Sequence, residues 1–529
     1  RDEISNGEFP FAAGEIDVVL VTHAHIDHSG RIPMLIKQGF QGRIVTTRLT
    51  AELLDIMLLD SAHIQESDAE WKNRKAERSG APRVEPLYTI EDAARVREFV
   101  DTCEYNETVP LCEGVTACFV DAGHLLGSAS IIVDAVENGT AKRLVFSGDL
   151  GNINQPIIRD PTPIEGADYV VMESTYGDRN HTEVWSYTDD LAKIIDETIA
   201  RGGNVVIPSF AVGRTQEMLY FIREIKDAKL VKSNPDFPVY IDSPLAKRAT
   251  TIFTGNLHGY LDEDALELVK DGTHMFNFTN LRMTETSEES KALNMDPTPK
   301  VIISASAIPG NEVTVGRVIN ELFRKGVKVV YDRADMLHVS GHACQEELKI
   351  IHALTKPRFF VPLHGEQRML QIHSQLAQDM GMDRNHIAIA DNGTVVELTT
   401  KTLKLGGTVP AGEIYVDGAG VGDVGTVVMR DRKRLAEDGM VVVVLPISAH
   451  DGNLLSEPEI ITRGFIYVKE SGDLMKELQS VARDAAENVS RKRGRDDGEL
   501  KGSVKSAVSS YLFKTTKRNP MVIPVVTRL

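Results

Sequence analysis

The sequence predicts an α/β protein with several domains, and three features of the chain support this prediction. In the first part, short β-branched runs such as Asp17–Thr22 end in clusters of polar residues. From about Thr182 onward, helix-like and strand-like segments alternate regularly, which is typical of a parallel sheet. From Glu413 onward a separate succession of strands and helices begins. The length of 529 residues provides material for roughly three to four domains.

The first part is predicted to form a β-rich sheet with interspersed helices. The predicted strands are Asp17–Thr22, Arg43–Thr47, Thr116–Asp121, Ser130–Val136, Arg143–Phe146 and Tyr169–Met172. The predicted helices are Ile32–Gln38, Thr50–Ala69 and Thr89–Thr102. Several of these strands end in charged or hydrogen-bonding residues. Because α/β folds place their functional sites at strand ends, we expect a site there.

The middle and last parts are predicted from the same patterns. The middle elements are helix Tyr187–Arg201, strand Asn204–Pro208, helix Arg214–Ala228, strand Pro238–Ile241, strand Lys300–Ser304, helix Thr314–Lys325, strand Lys328–Tyr331 and strand Phe359–Pro362. The last part is predicted to contain strands Thr426–Arg430, Met440–Leu445 and Met521–Val526 and helices Asp473–Ser490 and Lys501–Lys514. The α/β prediction therefore extends over the whole chain.

Composition and charge exclude several classes of protein. The formal net charge of −18 excludes a histone-like polycation. Basic residues outnumber acidic ones in residues 491–529, which indicates either a polyanionic or protein partner or a solvated face. No apolar run approaches the roughly 20 residues of a membrane-spanning helix. The four cysteines form no C-x-x-C pair, so we expect no disulfide framework, and a reducing, cytoplasmic setting fits best.

The strongest chemical signal is the segment His23-Ala24-His25-Ile26-Asp27-His28, which follows the first predicted strand. Imidazole and carboxylate groups are good ligands for zinc and similar divalent ions. Residues two apart point the same way in an extended segment, so His23 and His25 can hold one ion. Asp27 and His28 can then serve a second ion as the chain turns.

Two ions need more ligands than this segment offers. Further single candidates lie at the ends of predicted strands and are flanked by glycine or other small residues. They are His124 in AGHLLGS, Asp149 in SGDLG and His364 in PLHGE. The predicted ligand sets are His23, His25 and His124 for one ion and Asp27, His28 and His364 for the other, with Asp149 bridging both. A lone histidine is more often structural, so only the complete set predicts a metal centre.

These motifs together resemble the metallo-β-lactamase fold. The segments ESTYG, HVSGH and HGE, which contain Glu173, His342 and His364, resemble its β-CASP branch, whose members are nucleases acting on RNA or DNA. His342 and His364 lie 22 residues apart, as in that branch (364 − 342 = 22). The resemblance implies an αββα sandwich with an inserted β-CASP parallel α/β domain and a small α+β C-terminal domain.

The resemblance also implies a mechanism. The centre would hold two zinc ions, with Mn²⁺ or Mg²⁺ as alternatives, and Asp27, Glu173 and His342 would be the catalytic residues. Glu173 would orient His342, which would protonate the leaving oxygen. A histidine suits this step because its pKa lies near neutrality.

The resemblance covers nearly the whole chain, but different segments resemble two different types of relative. ESTYGDR, SFAVGRTQEM and DSPLAKR are similar to bacterial and archaeal relatives of the cleavage-and-polyadenylation endonuclease. From about Ala307, segments such as HVSGHACQEELK and ITRGFIYV are similar to ribonuclease J, including its C-terminal domain. We therefore expect a zinc-dependent ribonuclease with 5′-3′ exonuclease activity and additional endonuclease activity in RNA processing and decay. The alternatives are an enzyme that is only an endonuclease and a degenerate, non-catalytic RNA-binding protein.

The resemblance divides the chain into domains. The expected divisions are 1–183 and 333–412 for the two parts of the metallo-β-lactamase domain, 184–332 for the β-CASP domain, and 413–529 for a linker and the C-terminal domain. Since only 22 residues precede His23, the first part is expected to be truncated at its N-terminus. The C-terminal domain is expected to mediate a homodimer or homotetramer.

Single-stranded RNA is the expected partner, bound in a cleft between the two catalytic domains. Arg214 and Lys247 are candidate phosphate contacts near helix starts, although solvated surface bases are an equally open interpretation. Ser340 and Gly341 offer backbone N–H groups to a phosphate. Ser304 and Ser306 are similar to the ribonuclease J segment near the terminal phosphate.

Overall fold

The chain folds as two compact units, Arg1–Gly412 and Glu413–Leu529. The structure is a computed structural model that describes residues 9–79, 83–180, 187–270, 275–276, 278–284, 286–293, 300–302, 311–331, 341–409, 411, 416–417, 420–421, 426–450, 452–465, 472–490 and 497–529. The predicted domain boundaries within the first unit stay predictions.

The first unit contains sixteen described strands and twelve described helices. The strands are β1 (Val18–Leu20), β2 (Arg43–Thr47), β3 (Val100–Cys103), β4 (Thr108–Cys112), β5 (Val115–Asp121), β6 (Ala129–Glu137), β7 (Thr140–Phe146), β8 (Tyr169–Glu173), β9 (Val205–Val206), β10 (Val239–Ile241), β11 (Leu281–Met283), β12 (Lys300–Ile302), β13 (Lys328–Val330), β14 (Phe359–Leu363), β15 (Thr394–Leu398) and β16 (Leu403–Thr408). The helices are α1 (Ile26–Ser29), α2 (Ile32–Lys37), α3 (Arg48–Ser79), α4 (Ile90–Arg95), α5 (Tyr187–Ile199), α6 (Arg214–Asp227), α7 (Pro244–Ile252), α8 (Glu263–Lys270), α9 (Ser287–Ala292), α10 (Glu312–Arg324), α11 (Gln345–Thr355) and α12 (Gln367–Asp379).

Two sheets form the centre of the first unit. The larger sheet has the strand order β14-β8-β7-β6-β5-β4, in which only the β14–β8 and β8–β7 pairs are parallel. The smaller sheet, β1-β2-β3, is parallel throughout. Val45 of β2 and Phe119 of β5 are fully buried in one apolar cluster, which lies between the two sheets.

Helices cover the outer faces of both sheets. Val120, the neighbour of Phe119 on β5, points to the opposite face and packs with Leu348 of α11 and Leu376 of α12. On the other side, Ile44 of β2 and Leu53 of α3 belong to the largest apolar cluster. The layers therefore run helix, sheet, sheet, helix, and the predicted fold class is confirmed.

The inserted segment from α5 to β13 has its own parallel sheet. Strands β13, β12 and β9 pair in that order, and β10 pairs in parallel with β11. Leu191 of α5 and Ile225 of α6 pack against Ile302 of β12. This segment contacts the sandwich through Tyr260, whose hydroxyl donates to Glu104 Oε2 at 2.8 Å. The regular alternation in the sequence correctly predicted a parallel α/β arrangement here.

The second unit is a small α+β domain. Its described elements are strands β17 (Val416–Asp417), β18 (Gly420–Val421), β19 (Met440–Ile447), β20 (Glu459–Arg463) and β21 (Met521–Arg528) and helices α13 (Thr426–Asp438), α14 (Gly472–Ser490) and α15 (Asp497–Thr516). Strand β19 lies between β20, to which it is antiparallel, and β21, to which it is parallel. Val443 and Leu445 of β19 pack against Leu478 of α14 and Val508 of α15.

Two predicted elements were wrong. Thr426–Arg430 was predicted as a strand but forms the N-terminal part of helix α13. The helix continues to Asp438 because the segment RDRKRLAED is rich in long-chain helix formers. Thr89–Thr102, predicted as one helix, is helix α4, a 3₁₀ turn and strand β3. The end of this segment forms strand β3 and not a helix because it pairs with β2, and the β-branched residues of β3 complete a parallel sheet.

No helix in the described ranges is both long enough and apolar enough to cross a membrane.

Candidate metal centre

The histidine-rich segment lies directly after β1 and forms a tight turn into α1. Ser29 Oγ donates to the carbonyl oxygens of Ala24, at 3.1 Å, and His25, at 2.8 Å, and so closes the turn. Thr22 Oγ1 lies 3.1 Å from His23 Nδ1. That contact leaves Nε2 of His23 as the nitrogen that faces the interior of the site.

The first group of ligand atoms comes from His23, His25, His124 and Asp149, and these atoms all lie within 4.8 Å of one another. His25 Nδ1 and His124 Nε2 are 3.1 Å apart. Asp149 Oδ2 lies 3.4 Å from His23 Nε2 and 3.6 Å from His124 Nε2. The spacing matches the predicted three-histidine set with a shared carboxylate.

The second group comes from Asp27, His28, Asp149 and His364, again within 4.8 Å of one another. His28 Nε2 lies 3.2 Å from His364 Nε2 and 3.2 Å from Asp149 Oδ1. His364 Nε2 lies 3.4 Å from Asp27 Oδ2. Asp149 therefore presents one oxygen to each group, and the structure brings all seven predicted ligands together.

Close backbone packing places Asp149 between the two groups. The preceding residue, Gly148, has φ of +59°, and a Cβ there would lie 2.8 Å from the Cβ of Thr22. Only glycine allows the Asp149 loop to approach the His23 segment this closely.

Two buried atoms test whether the site fits a metal ion. His23 Nε2 and Asp149 Oδ1 are buried and have no hydrogen-bond partner within the described part of the chain. Burying a polar atom without a partner costs about 1–3 kcal/mol, so such atoms need a ligand. A divalent cation at each group would satisfy both atoms and would separate the facing imidazole nitrogens.

The charge states of the ligands also fit metal binding. Burial lowers the pKa of His23, lowers that of His25 to about 3 and lowers that of His124 well below its usual value. These imidazoles are therefore neutral at pH 7, as metal ligation requires. Burial opposes ionisation of Asp149, yet the close approach of the His23 and His28 imidazoles holds its pKa well below the usual range.

His342 has the opposite charge preference. Its Nδ1 lies 3.0 Å from Glu173 Oε2, and its side chain is 23 % exposed. Burial alone would lower the pKa of His342, but the Glu173 carboxylate raises it to about 9. Glu173 Oε1 in turn accepts from the backbone N–H of Leu150, the residue after Asp149. The site therefore combines three imidazoles that burial keeps neutral with the His342 imidazole, which can donate a proton, while the contact with Asp27 raises the pKa of His364.

Sequence reasoning did not predict the role of Thr175. Its Oγ1 lies 2.8 Å from His364 Nδ1, so it can orient the ring while Nε2 faces the second group. The only sequence signal was its position two residues after Glu173 in the ESTYG segment.

The residues predicted to contact RNA differ in their surroundings in the structure. Gly341 lies against the ring of His124, whose Nδ1 bonds the Gly341 carbonyl. Lys247 lies in the first turn of α7 and stays a candidate.

Arg214 is buried, with Nη1 2.7 Å from Glu217 Oε2 and Nη2 2.8 Å from the Tyr187 hydroxyl. This ion pair does not support the predicted contact between Arg214 and a phosphate. The predicted contacts Ser304, Ser306 and Ser340 lie outside the described residues.

Three family models match parts of this chain. The family model described as "Beta-Casp domain" matches residues 215–319, "Zn-dependent metallo-hydrolase RNA specificity domain" matches residues 326–389, and "Ribonuclease J C-terminal domain" matches residues 427–529.

Several curated relatives match much or nearly all of the chain. Ribonuclease J 1 of Streptococcus pyogenes is 27 % identical over 97 % of this chain and 87 % of the relative. Ribonuclease J2 of Bacillus subtilis is 28 % identical over 97 % of this chain and 88 % of the relative. Ribonuclease TTHA0252 of Thermus thermophilus is 33 % identical over 61 % of this chain and 67 % of the relative. With its histidine and aspartate cluster as the place for a metal cofactor, the chain belongs to the β-CASP metallo-hydrolases of the ribonuclease J type.

Proposed function

We propose that this protein is a two-zinc ribonuclease that hydrolyses single-stranded RNA as a 5′-3′ exonuclease with additional endonuclease activity, in cytoplasmic RNA processing and decay. One observation carries this proposal. Ligands from four separate stretches of chain (23–28, 124, 149 and 364) converge beside the His342–Glu173 pair. The names of the relatives, all ribonucleases, support RNA as the substrate.

The residues that would hold the two ions follow from the two groups of ligand atoms. One ion would be held by His23, His25, His124 and Asp149, and the other by Asp27, His28, His364 and Asp149. Nitrogen and carboxylate ligands favour zinc, and Mn²⁺ and Mg²⁺ are the alternatives. When bound, the ions would supply Lewis acidity that activates water and neutralises the charge of the scissile phosphate.

His342 would protonate the leaving 3′ oxygen. Its Nδ1–H donates to Glu173, which fixes the ring and leaves the Nε2 proton for transfer. After transfer, the neutral ring keeps the Nδ1–H tautomer that the carboxylate stabilises. Gly341, Lys247, Ser304, Ser306 and Ser340 are carried forward as proposed contacts to RNA.

Nuclease assays with single-stranded RNA test this proposal. We expect 5′-monophosphorylated RNA to be degraded from its 5′ end, chelation to abolish cleavage and zinc or Mn²⁺ to restore it. Replacing the proton donor in His342→Ala should lower kcat by about 10²- to 10⁴-fold. His258→Ala, which removes an exposed histidine of the inserted segment, is the matched control.

Each part of the proposal has its own contradicting outcome. Unchanged cleavage of RNA with a blocked 5′ end would leave only the endonuclease alternative. A His342→Ala variant with the activity of the control would remove the proton-donor role. Metal analysis giving far less than one zinc ion per chain, with RNA binding but no cleavage, would favour the non-catalytic alternative.

We also propose a homodimer or homotetramer assembled through residues 413–529. The match of residues 427–529 to the ribonuclease J C-terminal domain supports this proposal.

A further inference from the structure

A second histidine pair lies outside the metal centre, in the helical layer behind β8 and β14. It consists of His352 on α11 and His373 on α12, and both side chains are buried. Their Nε2 atoms lie 3.2 Å apart. Both rings pack edge-on against Phe360 of β14, with centroid distances of 4.5 Å and 4.9 Å. The pair is therefore held rigidly against the sheet that carries the site.

The other side of His373 contacts the turn after β8. Its Nδ1 lies 2.9 Å from the Oγ of Ser174, which is also fully buried. A Cβ added at Gly177 would lie 3.2 Å from the Cβ of His373, so the turn packs closely on α12.

This turn contains the groups that complete the catalytic site. Glu173 holds His342, and Thr175 Oγ1 contacts His364 Nδ1 at 2.8 Å. Ser174 lies between them, and its backbone N–H donates to the carbonyl of His364 at 3.1 Å. A displacement of Ser174 would therefore move the proton donor's partner and a predicted metal ligand together.

Because both imidazoles are neutral, the donor and acceptor roles of their ring nitrogens depend on one another. Burial lowers the pKa of His373 to about 3 and that of His352 to about 4. A neutral imidazole has one donor and one acceptor nitrogen. If His373 Nε2 donates to His352, Nδ1 therefore accepts from the Ser174 hydroxyl, and if Nε2 accepts, Nδ1 donates to Ser174. An apolar side chain at position 373 would leave the buried Ser174 hydroxyl without this partner.

We propose that His373 is a positioning residue of the nuclease site, which holds Ser174 and through it sets the positions of Glu173 and His364, while His352 satisfies the remaining nitrogen of His373. The inference rests on the proposed function and deepens it, because it assigns a role to residues that touch neither RNA nor metal ion.

Five variants of the full chain test this role, the fifth being the double variant that combines His373→Leu with Ser174→Ala. His373→Leu removes the contact, His373→Asn keeps a polar group near the Nδ1 position, and Ser174→Ala removes the hydroxyl. Gln371→Ala, on the exposed face of the same helix, is the control. The measurements are kcat and KM on 5′-monophosphorylated RNA, zinc affinity by calorimetric titration, and thermal unfolding of the metal-free protein.

We expect His373→Leu and Ser174→Ala each to lower kcat and zinc affinity by about 10- to 100-fold with KM little changed. His373→Asn should recover most of both losses, and the double variant should be no worse than either single variant. The control should match the parent protein in every measurement. Recovery by asparagine and the non-additive double variant separate positioning from a general loss of stability.

Several results would overturn the inference. They are a His373→Leu variant that keeps kcat and zinc affinity within about twofold, an asparagine variant as impaired as the leucine variant, or additive losses. If His373→Leu does not fold, Ser174→Ala decides alone, since it removes one oxygen. If the parent chain does not cleave RNA, the proposed function fails, and zinc affinity still decides the positioning role.

Discussion

At the scale of single residues, Asp149 links the two halves of the candidate centre. Its side chain is 2 % exposed, and its two oxygens lie within 3.4 Å of His23 and His28. Burial opposes the ionisation of this carboxylate, because buried charge is costly without compensation. The neighbouring imidazoles and His342, whose Nδ1 lies 3.9 Å from Asp149 Oδ2, provide that compensation in the metal-free site. Two divalent cations would take over this role, so the burial of Asp149 favours metal binding.

Another buried carboxylate should make stability depend on pH. Burial raises the pKa of Asp121 to about 7, from about 4 in the unfolded chain. The folded state therefore binds this proton more tightly, so the contribution is fully present below pH 4 and is lost as pH rises to 7. Asp121→Asn removes the ionisation but keeps an acceptor for the Gly123 N–H.

We expect Asp121→Asn to gain about 2–4 kcal/mol of stability relative to the parent protein between pH 4 and pH 8. Urea unfolding of the metal-free protein at several pH values measures this difference. The exposed Asp68→Asn serves as the control. A constant difference between the Asp121 variant and the parent across this range would contradict the raised pKa.

At the scale of elements, periodicity predicted most strands and helices, and the errors have a common cause. The β-branched start of α13 and the helix-like stretch that contains β3 were each read from a short window. In α13 the longer helix-forming sequence outweighs a few strand-favouring residues. In β3 a neighbouring strand outweighs local preference, and only the fold brings that neighbour into place.

The alternation of β19 leads to a prediction about stability. Leu445 is fully buried against α14 and α15, whereas its neighbour Val444 points away and is half-buried. We expect Leu445→Ala to destabilise the second unit by about 2–5 kcal/mol, because it leaves a cavity. Val444→Ala should cost clearly less, and calorimetric unfolding of both full-length variants measures the difference. Equal losses would contradict the assigned face of the strand.

At the scale of the whole molecule, the relatives differ in how much of the chain they match. The ribonuclease J relatives from Streptococcus pyogenes and Bacillus subtilis match 97 % of it, whereas the Thermus relative, at 33 % identity, matches 61 %. The ribonuclease J C-terminal match lies entirely in the second unit. Assembly is therefore a property to test on the full chain.

We expect light scattering of the full chain to give two or four times the mass of a single chain. A monomer at micromolar concentration would contradict the proposed assembly.

The sequence alone predicted the candidate ligand residues that the fold brings together, because six neighbouring positions hold four metal-binding side chains and the later candidates each follow a strand. It also determined the fold class, since hydrophobic periodicity is a local property of the chain. Only the tertiary structure decided that His342 is cationic, that Arg214 is committed to Glu217, and that His373 lies behind Ser174. Each of these depends on burial and on contacts between residues far apart in the chain, which appear only when the layers pack together.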